Sequence, residues 1–415
     1  MLEKYYDEYA ELIVKTGVNI RPDQLVVINV GVENTDFARR LAKAAYQAGA
    51  HDVTIVWHDE QFSLLRYQSV RPEVLSEFPE WRRMLYLDNA EEGAAFISVV
   101  SENPEIFNTV DPKRLMLAQQ AAGAALKEYR ERVMANKNSW CVVSVPSAAW
   151  AECVFPELSE KRAVQALWKK ILAAVRVKGD GKAVERWKGH TEFLSRAAKF
   201  MNDSNFAALH YTNSLGTDLT VKLPEGHIWA GGAEYTQSGT EFVANMPTEE
   251  VYTVPRLDGV DGVVYASKPL VYNGNLIKNF SVRFKAGEVT DFAAEEGREL
   301  LRELLSTDAG SCRLGEVALV PYDSPISQSG ILFYNTLFDE NASCHLAFGK
   351  AYPTCLAGGT ELSAEELEKK GVNDSLVHED FMIGTRDLKI DGIKQNGKKI
   401  PVFRKGNFVS FDQVN

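Results

Sequence analysis

The chain has 415 residues, of which 45% are hydrophobic, 25% charged and 10% aromatic. This is ordinary globular usage at a two-domain length, and it excludes collagenous, disordered and low-complexity classes. Its 46 Lys and Arg against 57 Asp and Glu leave a net charge of −11, so no nucleic-acid partner is expected, because phosphate neutralisation needs clustered basic residues.

The first segment, MLEKYYDEYAELIVKTG, mixes charge with apolar residues at helical spacing and lacks the continuous apolar stretch of a signal peptide. Leu25–Val30 reads as a buried strand, Asp36–Ala48 as a helix stopped by Gly49, and Val53–Trp57 as a second strand. That is a βαβ unit, whose crossover is right-handed. Ala95–Val100 and Cys141–Val145 read as further strands, with one long helix predicted over Lys113–Met134. After Val30 the chain reads GVENTD, with one glycine where a dinucleotide-binding loop needs three. No phosphate-binding loop occurs elsewhere, so the layer is read as scaffold.

From Ser159 to Asp203 the pattern is helical, and residues 206–292 then carry short alternating runs of antiparallel-strand type, followed by a helix over Glu295–Leu305. The expected division is 1–203, an α/β domain with a helical second part, and 204–415, an α+β domain. Five cysteines without a C-x-x-C pair read as reduced thiols in a cytoplasmic protein. No run of about 18 apolar residues is present, so no membrane partner is expected.

Chemistry-bearing residues concentrate in four segments of the second half: NMPTEEVYTVP (245–255), GEVALVP (315–321), DENASCHLAFGKAYP (339–353) and NDSLVHEDFMIG (373–384). His378 and Asp380 form an H-x-D pair, which on a strand points both side chains to one face. That is half of a divalent-metal site, or else a salt bridge. Glu316 opens an apolar run and reads by itself as a solvent-edge residue. Glu249 and Glu250 are adjacent, so one faces in and one out; if Glu250 shares a face with Tyr252 it is buried and needs neutralising. Two metals held by such carboxylates and by His345 and His378 would make a hydrolytic centre. Tyr352 reads as a packed aromatic and Cys344 as a small buried residue. No G-x-S-x-G and no H-E-x-x-H occurs.

Taken in this order, the four segments resemble the metallo-aminopeptidase family of aminopeptidase T, aminopeptidase S and aminopeptidase II. The likeness extends over the whole chain, though its motifs lie in the second half. It implies an α/β N-terminal domain followed by an α+β metal-binding catalytic domain that carries two divalent ions (zinc, cobalt or manganese). Its ligands would fall on Glu250, Glu316, His345, His378 and Asp380, with Glu340 contributing. Tyr352 would be catalytic, and Glu316 and Glu340 are both candidates for the proton-carrying base. The resemblance further implies peptide substrates with a free N-terminus and a homodimer. The alternatives are a two-metal amidohydrolase or phosphoesterase, for which Lys350 and Arg386 are the nearest cations in sequence, and a non-catalytic metal- or peptide-binding protein.

Overall fold

The structure is a computed structural model that describes residues 3–272, 275–409 and 411. The chain divides into two compact units, one made of residues 1–189, 233–247 and 331–337, the other of 190–232, 248–330 and 338–415. The first unit is α/β. Its strands β1 (Leu25–Gly31), β2 (Asp52–His58), β3 (Ala95–Val100) and β4 (Trp140–Ser144) form a sheet in the order β2–β1–β3–β4, extended by Asn245–Met246. Every pairing is parallel. Parallel neighbours require crossovers, and the helix Thr35–Gln47 supplies the first. Val26, Val27, Ile28 and Val30 are all buried, as a sheet covered on both faces demands.

The long helix predicted over Lys113–Met134 is two helices, Pro112–Ala125 and Lys127–Met134. Gly123, the weakest helix former of the segment, lies in the last turn of the first. Among the described residues no helix is long and apolar enough to cross a membrane.

The second unit is α+β, with an eight-stranded and a four-stranded sheet. Within the stretch 206–292, expected to carry antiparallel strands, Ala208–Thr212, Asp218–Lys222 and Val260–Tyr265 are neighbouring antiparallel strands of the larger sheet. The four-stranded sheet carries the segments of interest: β5 (Val251–Thr253), β6 (Leu314–Leu319), β7 (His345–Gly349) and β8 (His378–Met382), antiparallel in that order. Its core face presents Val251, Val317, Leu319, Leu346, Phe348 and Phe381 to one apolar cluster. Phe348 and Phe381 stack with ring centroids 4.4 Å apart.

Candidate metal centre

Register decides what stands on the other face of this sheet. Ala318 pairs with both Tyr252 and His345, Ala347 with both Glu316 and Asp380, and Gly349 with His378. Cross-strand partners share a face, so Glu316, His345, His378 and Asp380 project together, and Glu250, two residues before Tyr252, joins them. The residues between them are Ala318, Ala347 and Gly349, which leave room where larger side chains would fill it. A bulge in β6 between Leu314 and Glu316 makes this possible. It sends Leu314 to the core and Glu316 to the opposite face. Gly315 sits at that bulge because a Cβ there would lie 2.3 Å from the Lys350 carbonyl oxygen.

Donor atoms that could hold a metal ion form two sets, Glu250–Glu316–His345 and Glu316–His378–Asp380, with the atoms of each set within 4.8 Å of one another. Glu316 belongs to both. Its Oε1 is 3.6 Å from His345 Nε2 and its Oε2 is 3.3 Å from His378 Nε2. His345 Nε2 also lies 3.2 Å from Glu250 Oε2 and 3.9 Å from Asp380 Oδ1. Glu316, first read as a solvent-edge residue, is only 5% exposed. Every residue of β6 is buried, because the sheet is covered on both faces there. Glu249, adjacent to the inward Glu250, does not face solvent either: it is 2% exposed, with its carboxylate 3.8 Å from His190 Nε2.

The imidazole tautomers follow from their partners. His378 Nδ1 is 2.7 Å from the Lys350 carbonyl oxygen and His345 Nδ1 is 3.2 Å from that of Ser343. A carbonyl only accepts, so each Nδ1 carries the hydrogen and each Nε2 is turned toward the carboxylates. A neutral Nε2 there would set its lone pair against carboxylate oxygens. Either both rings are protonated or a cation stands between the donors. Counting Glu340, four carboxylates meet two imidazoles, so protonation alone leaves negative charge in excess. Glu250 Oε2 and Asp380 Oδ1 are buried without a regular hydrogen bond among the described residues. Orphaned anionic oxygens around paired imidazole nitrogens could hold a divalent cation.

The protonation equilibria express the same strain. Burial raises the Asp380 carboxyl to about 6. Burial likewise pushes Glu340 well above the usual range, helped by the charges of Glu250 and Asp380. For Glu316 burial acts upward too, but contacts from His345 and His378 prevail and bring it down to about 2. Burial opposes the charged form of His378, yet Glu316 and Asp380 outweigh it and raise the ring to about 9. His345 moves well upward for the same reason, through Glu250 and Glu316.

Glu340 lies outside both ligand sets, in the short turn Glu340–Ala342. Tyr352, expected as a packed aromatic, is 37% exposed, but its hydroxyl lies 3.3 Å from His378 Nε2, where desolvation and the charges of Glu316 and Asp380 keep the phenol protonated. Cys344 exchanges contacts with the Val320 backbone, and burial pushes its thiol up to about 12, so it is no nucleophile. Lys350 extends to Asp374 at 3.5 Å on the surface, and Arg386 is exposed. The small residues that open this face have a weak sequence signal: Ala347 and Gly349 alternate in HLAFG, and Ala318 stands two residues after Glu316.

Comparison with known proteins bears on the chain as a whole. The description of the thermophilic metalloprotease (M29) family matches residues 2–408. Aminopeptidase AmpS of Bacillus subtilis (strain 168) is 51% identical over 400 residues, covering 96% of this chain and 97% of the relative. Aminopeptidase 2 of Geobacillus stearothermophilus is 48% identical, covering 98% of each chain. The solved structure of wild-type AmpT from Thermus thermophilus superposes with a TM-score of 0.91 at 38% identity, covering 99% of this chain and all of the other.

Proposed function

The chain belongs to the thermophilic metalloprotease (M29) family and is a hydrolase of peptide bonds, and from that premise we propose a dinuclear aminopeptidase that removes the N-terminal residue of peptides. One observation carries the dinuclear reading: two donor sets share Glu316, each with an imidazole Nε2 turned toward buried carboxylate oxygens. Glu250, Glu316 and His345 would hold one divalent ion and Glu316, His378 and Asp380 the other, with Glu340 alongside. Zinc, cobalt and manganese all suit such nitrogen and oxygen donors. Bound there, the ions would supply Lewis acidity, making water a nucleophile near neutral pH and polarising the peptide carbonyl.

The side chains divide the remaining work. Both oxygens of Glu316 face imidazoles, and its carboxyl is held low, which suits a ligand rather than a proton carrier. Glu340 is the better base: its carboxyl is biased toward protonation by burial and by like charges, which nearby cations would partly offset. It would take a proton from the attacking water and return it to the leaving amine. The Tyr352 phenol, protonated and beside His378, would donate to the oxyanion as it develops. The carboxylate excess favours a substrate bearing a free ammonium. The site lies within the proposed catalytic region, residues 204–415. Five free cysteines support a cytoplasmic setting, and the family resemblance supports a homodimer.

The test is a substrate panel run with and without chelator. Amino-acid amides and free peptides should be cleaved, N-acetylated peptides at least roughly tenfold more slowly since a charged contact is lost, and phosphate esters not at all. Chelation should abolish turnover and a divalent ion restore it. Full activity in metal-free protein, or equal cleavage of blocked and free peptides, overturns the proposal.

A further inference from the structure

Glu250 and Glu340 approach the centre from segments that no β-ladder joins. Glu250 ends an irregular stretch before β5, and Glu340 opens a single turn. Buried irregular backbone needs a partner for each N–H, and the N–H of Glu249 donates to Asn341 Oδ1 at 2.7 Å. That bond fixes the amide's orientation, since a donor requires the oxygen and the NH2 group must turn the other way. There Nδ2 reaches Glu340 Oε1 at 3.4 Å. The Asn341 side chain is wholly buried.

Two carboxylates brought together in a site of low dielectric, as Glu250 and Glu340 are, repel each other whenever both are ionised. A neutral amide can accept from one segment and donate to the carboxylate of the other without adding a third charge. Aspartate would put that charge in, and an apolar residue would take away the acceptor of the Glu249 N–H. The only polar side chain of the turn besides Glu340 is therefore matched in both hydrogen-bonding groups to its two neighbours.

We propose that Asn341 is a positioning residue for proton transfer, aiming the Glu340 carboxylate while it pins the backbone that carries Glu250. This rests on the assignment of Glu340 as base. The experiment is a double-mutant cycle on metal-loaded enzyme, with kcat, KM and metal content measured for wild type, Glu340→Gln, Asn341→Asp and the double variant. Asn341→Asp keeps an oxygen for the Glu249 N–H and replaces the donor to Glu340 with a further acceptor and charge, and the neutral Asn341→Ser run beside it separates the lost donor from the added charge.

Asn341→Asp should lower kcat about 10–100-fold with KM and metal content unchanged. Added to Glu340→Gln it should lower kcat no more than about twofold further, because the two act as a unit. Undiminished kcat in Asn341→Asp, full additivity in the double variant, or metal content that falls in step with kcat each overturns the role. If the aspartate variant does not fold, the neutral Asn341→Ser closes the same cycle. Wild-type kcat in Glu340→Gln overturns the base assignment and the inference with it. An impaired Glu340→Gln with an additive Asn341→Asp leaves the base standing and removes only Asn341.

Discussion

Metal affinity should climb with pH, because His345 and His378 must each give up a proton before Nε2 can bind a cation. In the metal-free protein burial disfavours a charged His378, but Glu316 and Asp380 prevail and lift its pKa from 6.5 to about 9. At pH 7 only about one molecule in a hundred then has a neutral His378, a handicap to metal of about 2.7 kcal/mol. Each pH unit between 6.5 and 8.5 should return about a factor of ten in affinity from this residue alone. His345 is displaced in the same direction by Glu250 and Glu316, so filling its set steepens the dependence. The assay is calorimetric titration of chelator-treated protein with cobalt across that range, in buffers of differing ionisation enthalpy so that released protons are counted. One to two protons should leave as the centre fills at pH 7. Affinity that stays flat from pH 6.5 to 8.5, with no proton released, would refute the reasoning. The rings would then be either neutral in the free protein or not ligands at all.

The same shift predicts how the metal-free protein unfolds. The folded pKa of His378 exceeds its ordinary value of 6.5, so its contribution of about 3 kcal/mol is complete below pH 6.5 and lost as pH rises through about 9. The Tm of chelated protein should therefore fall over that interval while that of metal-loaded protein changes less. Tyr352→Phe deletes one hydroxyl beside His378 and keeps the ring. It should lower kcat by about 10²–10³ with metal content unchanged, and loss of metal would recast Tyr352 as a ligand or support. Ala347→Leu places a larger side chain between Glu316 and Asp380. It should cut metal bound per chain while circular dichroism stays native, at an overpacking cost of about 1–3 kcal/mol; normal metal content would show that the face is not a metal bed.

The legibility of each part depended on how local its physics is. The parallel sheet could be read because its strands are continuous apolar runs between helices, and the H-x-D pair because strand side chains alternate with period two. Glu316 could not, since its inward face is set by a bulge at Gly315 and by burial on both sides of β6. Nor could Glu249: one of two adjacent carboxylates was expected outside, but His190 provides a buried neighbour for it. What joins the four segments is antiparallel register, and register is a property of pairs of strands rather than of either one. The motif resemblance stood in for that missing information by naming the residues that must meet. The structure adds what a motif cannot hold. Both Nδ1 atoms are anchored by carbonyls, so both Nε2 atoms are committed to the carboxylates, and under the proposed function the choice between proton and metal at that position is the equilibrium on which activity would turn.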